Sequence, residues 1–379
     1  MTGCFRQERV KAARIMVVGC GALGNEVLKN LVLMGAGHLV IVDFDVVERS
    51  NLTRSILFIE EDARVKRRKV DVAAERLKAI NPTLEIQTIC GDIAYDVGLG
   101  LVREMDVVIG CVDSRWARFV INRLCMRAGV PWVDGGIEGL EGTARVFRPG
   151  CNCYACNLGP EGHRDLARRM PCSGIIRRQE LAGSAPTTSV IASIIGAVEV
   201  QEALKLIHRE ELESGQLTSL CGRMLSYEGE HLTTHVARFQ AWDDDCPEHD
   251  CWHPVSNTVL TCEMTVEETL GCLQQELGAR DVSVRLSNDC FVDYVTLRSN
   301  DSRRMVMLPG RAVEGWIAAD KELSGIPLSG FYQHEYRFID SSFPYQQLTL
   351  GELGIPPRDV LHVMADGKDC YLELKGKRE

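Results

Sequence analysis

The chain has 379 residues, more than one ordinary core organises, so two domains are expected. Hydrophobic residues make up 45% and charged residues 25%, a soluble globular balance. The formal net charge of −10 argues against nucleic-acid binding, which needs a basic face. The start, Met1 to Arg9, lacks the apolar core of a signal peptide. The longest apolar run, Ser189 to Val198, stops at Glu199, too short to cross a bilayer, so a cytoplasmic chain without membrane contact is expected. In that compartment the sixteen cysteines read as buried, metal-bound or reactive thiols rather than a disulfide framework.

In chain order, Ile15–Val18 reads as a strand, Ala22 to Met34 as a helix, and Leu39–Asp43 as a strand apolar enough to be covered on both faces. Arg64 to Ile80 has helical periodicity and stops at Asn81-Pro82. Ile86–Ile89 and Val107–Gly110 are further strands, Trp116 to Ala128 a helix, and Pro131–Asp134 a strand beside which Gly142–Phe147 turns back. The alternation predicts a Rossmann-like, doubly wound α/β domain. Cys151 to Gly183 is irregular, a long helix spans about Thr188 to His208, and strands follow near Met224–Glu228 and His235–Phe239. Trp242–Pro254, acidic and rich in Cys and His, reads as a hinge between a domain over 1–250 and a smaller α+β domain over 255–379. In the latter, Val266 to Leu277 reads as a helix and Phe291–Leu297 as a strand, and Val360–Val363 and Cys370–Leu374 form a hairpin around Asp366-Gly367.

The first strand runs into Gly19-Cys20-Gly21-Ala-Leu-Gly24, a G-x-G-x-x-G loop that sets a nucleotide phosphate against a helix N-terminus. Asp43 stands where a carboxylate accepts from ribose hydroxyls. An NAD(P)-dependent oxidoreductase shows both features. The next segment separates the readings: Asp43-Phe-Asp45, then Ser50-Asn51-Leu-Thr-Arg54, then Lys69 at the head of a helix. A triphosphate attacked at its α-phosphorus needs fixed cations and amide donors around the developing charge, which a dinucleotide does not. Asp113, directly after a strand, suits a carboxylate holding Mg²⁺ at the sheet's C-terminal edge. The alternatives are solvated charges at Arg54 and Lys69 and a helix cap at Asp113.

These residues resemble the ThiF/MoeB/HesA adenylating enzymes, relatives of the ubiquitin-activating enzymes. The resemblance runs from Gln7 to about Ile207, roughly half the chain, and rests on the glycine loop, Asp43-x-Asp45, Ser50-Asn51-Leu52-x-Arg54, Lys69, Asn81-Pro82, Cys111-x-Asp113, Arg118 and Asn122, in the family's order and spacing. It implies adenylation by ATP and Mg²⁺ of the C-terminal glycine of a ubiquitin-like or sulfur-carrier protein, within a homodimer. Asp43 would hold the ribose, Asn51, Arg54 and Lys69 the phosphates, and Asp113 the metal. Three departures stand out. Arg54 is followed by Ser55 instead of Gln, Asp113 by Ser114 instead of Asn, and Arg6 is out of register with the arginine that reaches a partner subunit's ATP site in the family. A non-catalytic nucleotide-binding scaffold is the remaining alternative.

Cys153-Tyr-Ala-Cys156 and Cys246-Pro-Glu-His249 are two chelating pairs suited to a structural tetrahedral Zn²⁺, with Cys251 competing for the fourth position. The family carries zinc between C-x-x-C pairs at these places. Cys172 lies among Arg164, Arg168, Arg169, Arg177 and Arg178, where positive charge favours a thiolate that takes an acyl group. The alternative is a surface thiol in a basic loop. Cys111 and Cys125 follow apolar patterns and read as core. Asp134-Gly135-Gly136 either lets an extended Gly-Gly tail lie against the backbone or makes an ordinary turn. The last part of the chain, from Leu348 to Val363, looks like the end of a β-grasp fold, the kind of domain that recruits a conjugating enzyme in ubiquitin activation; a packing module is the alternative.

Overall fold

Strand β1 (Arg14–Val18) buries four of its five residues, as a strand covered on both faces must. The structure, a computed structural model, describes residues 5–159, 162, 187–238, 243–286, 290–297, 303–309 and 328–376. It contains two units, one comprising 5–159 with 187–251 and the other 252–376.

In the first unit β1 pairs in parallel with β2 (His38–Val42) and β4 (Val107–Gly110); β3 (Glu85–Ile89) and β5 (Trp132–Glu138) flank them, also parallel. Antiparallel β6 (Glu141–Phe147), β7 (Arg223–Glu228) and β8 (Thr233–Arg238) extend the sheet to the order β3-β2-β1-β4-β5-β6-β7-β8. The helices are α1 (Gln7–Ala12), α2 (Ala22–Leu33), α3 (Glu60–Arg64), α4 (Lys69–Ile80), α5 (Leu99–Arg103), α6 (Arg115–Ala128), α7 (Ser189–Ile207) and α8 (Arg209–Glu213). Residues of α2, α4 and α7 share one apolar core with the sheet. Side chains alternate along β5: Asp134 meets Arg118 of α6 on one face, and Gly135 leaves room for Glu199 of α7 on the other. Helices therefore cover both faces, the doubly wound arrangement. Close seating of α7 needs small residues beneath it, since a Cβ at Gly142 would come within 2.3 Å of Ile195.

Three local differences from the sequence reading have physical causes. The expected helix over Arg64–Ile80 is broken: Lys66 adopts φ +51, Asp62 holds Arg67 at 3.0 Å, and α4 starts only at Lys69. The break lets the chain after β2 pair with it, Val47 N–H donating to the Arg67 carbonyl and Lys69 N–H to the Asp45 carbonyl. Gly135-Gly136 is neither a strand end nor a turn, because β5 runs on to Glu138 and turns at Gly139-Leu140. Finally, Cys151 and Cys221, which the sequence reading did not pair, lie with their sulfurs side by side. The bridge between Val146 and Cys221 brings the exit of β6 to the entry of β7 and the two sulfurs together.

The second unit places α9 (Val266–Leu277) and the strands β9 (Val255–Asn257), β10 (Val282–Arg285), β14 (Phe338–Ile339), β15 (Val360–Ala365) and β16 (Lys368–Glu373) around one core. The sheet order is β14-β10-β15-β16-β9, with β9 and β16 parallel and the rest antiparallel. Thr265 and Glu268 cap α9 reciprocally, and Gly278 ends it with φ +62. The β15–β16 turn is at Asp366-Gly367 as expected, both with positive φ. A separate antiparallel sheet has the order β12 (Arg303–Pro309), β11 (Cys290–Leu297), β13 (Leu328–Glu335). Among the described residues no helix is long and apolar enough to cross a membrane.

The seating of α7 makes Gly142→Ala a direct test of packing. Displacing Ile195 is expected to destabilise the first unit by about 1–3 kcal/mol in denaturant unfolding, and an unchanged midpoint would contradict the packing.

Candidate functional site

The glycine loop is assembled by close backbone contact. Gly19 has φ +96, and a Cβ there would lie 2.3 Å from the Cys111 carbonyl oxygen; one at Gly24 would lie 2.0 Å from the Gly19 oxygen. A Cβ at Gly21 would meet nothing within 4 Å. Gly21 is also the N-cap of α2 and supplies no side-chain cap to the first-turn amides, the arrangement that receives an anion.

Asp43, at the end of β2, fastens this loop. Its carboxylate accepts from Cys20 N–H at 2.6 Å and Asp45 N–H at 2.8 Å. Burial pushes its pKa up, while Lys69 and the two amides pull the other way. Lys69 is buried, with Nζ 2.7 Å from Asp45 Oδ2. Burial opposes its charge, but Asp43 and Asp45 outweigh that and hold the lysine pKa above its ordinary value. Asn51 ends a single 3-10 turn, where its Oδ1 accepts from Glu48 N–H. Arg54 is half-buried and donates to the Ser50 carbonyl at 2.9 Å. Ser55, at the position of the first family departure, is buried with its Oγ unpartnered.

Asp113 is exposed on the turn between β4 and α6. It does not cap the helix. Ser114 does, accepting from Ala117 N–H at 3.0 Å, so the second departure supplies a cap of the kind Asn would and Asp113 has no capping role. Arg6 is held within its own chain, its backbone N–H on His208 and its guanidinium 3.4 Å from Glu211. Cys111 and Cys125 are buried, and burial pushes both thiols up, so they are neutral core groups as expected. Cys172 and its arginines lie outside the described residues.

The ligand atoms of Cys153, Cys156, Cys246 and His249 all lie within 4.8 Å of one another, a Cys/His set sized for one metal ion. Cys251 is not in the set: its thiol points at the Arg127 carbonyl, 3.8 Å away. Helix α6 holds both halves of the cluster. Asn122 is fully buried; its Nδ2 donates to Cys153 Sγ at 3.2 Å and its Oδ1 accepts from Tyr154 N–H. Arg123 grips Glu248 through two bonds of 2.7 and 2.8 Å. Neither role was read from the sequence, where Asn122 and Arg123 are two polar residues on an amphipathic helix and their partners lie 31 and 125 positions away. Arg118 and Arg145 hold Asp134, which is fully buried, Arg118 at 2.7 Å. Gly135 is required by close packing, because the Glu199 carboxyl carbon lies 2.5 Å from where its Cβ would be. The charge at Glu199 that interrupts the apolar run of α7 was the available signal for this contact.

The ThiF family model matches residues 2–248. This chain belongs to the ThiF family. Among curated relatives of this ThiF-family chain, the SAMP-activating enzyme E1 of Haloferax volcanii is 31% identical over 241 residues, 64% of this chain and 82% of that protein. The molybdopterin-synthase adenylyltransferase of Haemophilus influenzae is 33% identical over 223 residues, 59% of this chain and 84% of that protein. Among solved structures, E. coli MccB with ATP has a TM-score of 0.52 at 21% identity, covering 65% of this chain and 68% of that one, which shows the shared fold. The relatives' names describe adenylation and activation, not hydride transfer.

The cluster has a direct test in metal content. Cys246→Ser and His249→Ala are expected to lower bound metal measured by mass spectrometry, Cys251→Ser to leave it unchanged, and Asn122→Ala to weaken retention against a chelator by about 10–100-fold. Loss of metal from Cys251→Ser would contradict the assignment of the fourth ligand.

Proposed function

We propose that this ThiF-family chain adenylates the C-terminal glycine of a ubiquitin-like or sulfur-carrier protein ending in Gly-Gly, with ATP as co-substrate. The observation that carries this reading is a convergence at the C-terminal ends of β1, β2 and β4. The open N-terminus of α2 at Gly21, the Asp43 carboxylate and an Asp113 free of any capping duty come from three adjacent strands. The names and substrates of the relatives support it.

In this reading Asp43 and the Gly19–Gly24 loop hold the ribose and phosphates. Lys69, kept cationic by Asp43 and Asp45, joins Arg54 and Asn51 around the phosphate oxygens. The tail carboxylate attacks the α-phosphorus and pyrophosphate leaves, with the electron pair of the broken P–O bond. The carboxylate is already ionised, so these residues position the reactants and balance charge, and no general base is required. Asp113 would hold Mg²⁺, which adds positive charge against the phosphates. Cys153, Cys156, Cys246 and His249 would hold a structural Zn²⁺; three thiols and one imidazole are the donor set that ion prefers. Cys172 is assigned the role of acyl acceptor, with a sulfur donor or conjugating enzyme downstream. The active form is a homodimer in the cytoplasm, and residues 255–379 are a separate domain that serves either recruitment or packing.

ATP–pyrophosphate exchange is expected only when a Gly-Gly-tailed carrier is present. Asp113→Ala and Lys69→Ala should each lower it by about 10²–10³-fold, whereas a non-catalytic scaffold retains its function in Asp113→Ala. Intact mass spectrometry after incubation with ATP and carrier should find a carrier adduct that Cys172→Ala abolishes; an adduct unchanged in Cys172→Ala removes that cysteine from the scheme.

A further inference from the structure

Glu199 is fully buried on α7, yet no partner satisfies its Oε1. Its Oε2 lies 4.0 Å from Cys111 Sγ, and its carboxyl fills the place that a side chain at Gly135 would take. Cys111 in turn touches both parts of the nucleotide site. Its carbonyl oxygen packs on Gly19, its Cβ lies 3.6 Å from where a Gly24 Cβ would be, and Asp113 is two residues on. We propose that Glu199 is a positioning residue for the adenylation site: its carboxyl group, wedged behind the Cys111–Asp113 turn and the Gly135 peptide, holds the turn that carries Asp113 against the glycine loop. The inference rests on the adenylation reading above.

The surroundings dictate the form in which Glu199 does this. Within β5, Asp134 acts on it across the sheet, its two oxygens already taken by Arg118 of α6 and Arg145 of β6. From the end of β4 Glu199 faces the Cys111 thiol, and α2, which packs on α7, sets Glu26, tied to Lys29, against Gly196. None of these supplies an unspent positive charge. A carboxylate here would be dry and without a partner cation, which disfavours the charged form. Burial first, then Asp134, push the pKa well above the ordinary glutamate range, with Arg118 and the Gly135 amide opposing. A group raised in this way stabilises the fold fully below its unfolded pKa, and that contribution is lost as pH rises through the folded pKa.

The test uses the full chain and three readouts. Glu199→Gln keeps the shape and the neutrality. It should hold ATP–pyrophosphate exchange within about twofold of wild type at neutral pH, and its unfolding midpoint should fall less than wild type's as pH rises above the carboxylate range. Infrared difference spectra should show a protonated-carboxyl band in wild type that Glu199→Gln removes. Glu199→Ala should lower kcat of exchange by about tenfold or more with KM for the carrier unchanged, because the turn shifts while the carrier surface does not. A folded Glu199→Ala with wild-type exchange, or a Glu199→Gln whose pH profile and infrared spectrum match wild type, would overturn the inference. If Glu199→Ala does not fold, the Glu199→Gln arms still decide. Wild type without exchange for any Gly-Gly carrier would overturn the adenylation reading instead, while the infrared and unfolding results would still report on Glu199.

Discussion

The contact between Gly19 and the Cys111 carbonyl is the constraint on which the rest of the site depends. Two loops, one leaving β1 and one leaving β4, come so close that no Cβ fits between them. That closeness sets the N-terminus of α2 beside the turn that carries Asp113. Asp43 locks the same loop from the side of β2 by accepting from Cys20 N–H. Three neighbouring parallel strands therefore end on one small volume, the place where open α/β sheets bind ligands.

Charge is arranged around that volume with little left unbalanced. Lys69 stays cationic in a buried position because Asp43 and Asp45 face it. It reaches Asp45 because the chain breaks at Lys66 and the start of α4 hydrogen-bonds back to the segment after β2. On the far side of the sheet α6 performs two tasks from successive turns. Arg118 braces Asp134 within β5, and one turn later Asn122 and Arg123 hold the two halves of the Cys/His cluster. A metal at the cluster would thus be coupled mechanically to the helix that starts at the Asp113 turn.

Local signals made much of this legible from the residues alone. Gly19, Gly21 and Gly24 are readable because a tight turn and a close approach demand glycine at fixed offsets. The parallel strands are readable as short apolar runs, and the Cys153/Cys156 and Cys246/His249 pairs as chelating spacings. Geometry then chose His249 over Cys251, which spacing alone left open. What escaped depends on partners distant in sequence. Asn122 stands at a family position, but its role shows only once Cys153 is placed beside it. The break before Lys69 is invisible to periodicity, because its cause is pairing with Asp45 and Val47. Glu199 announces itself as a charge in an apolar helix, but its neighbours Cys111 and Gly135 come from the turn after β4 and from β5. Ser114 looked like a loss at the family's Asn position, and the helix it caps shows that the cap is retained.

The central claim is that this volume activates a carboxylate by cleaving ATP between its α- and β-phosphates. The most direct measurement is the nucleotide product formed when the full-length protein is incubated with ATP and a Gly-Gly-tailed carrier. AMP and pyrophosphate, formed only with the carrier present and lost on truncation of its terminal glycine, are the products the account requires. ADP and phosphate, or nucleotide turnover indifferent to the carrier's tail, would contradict it.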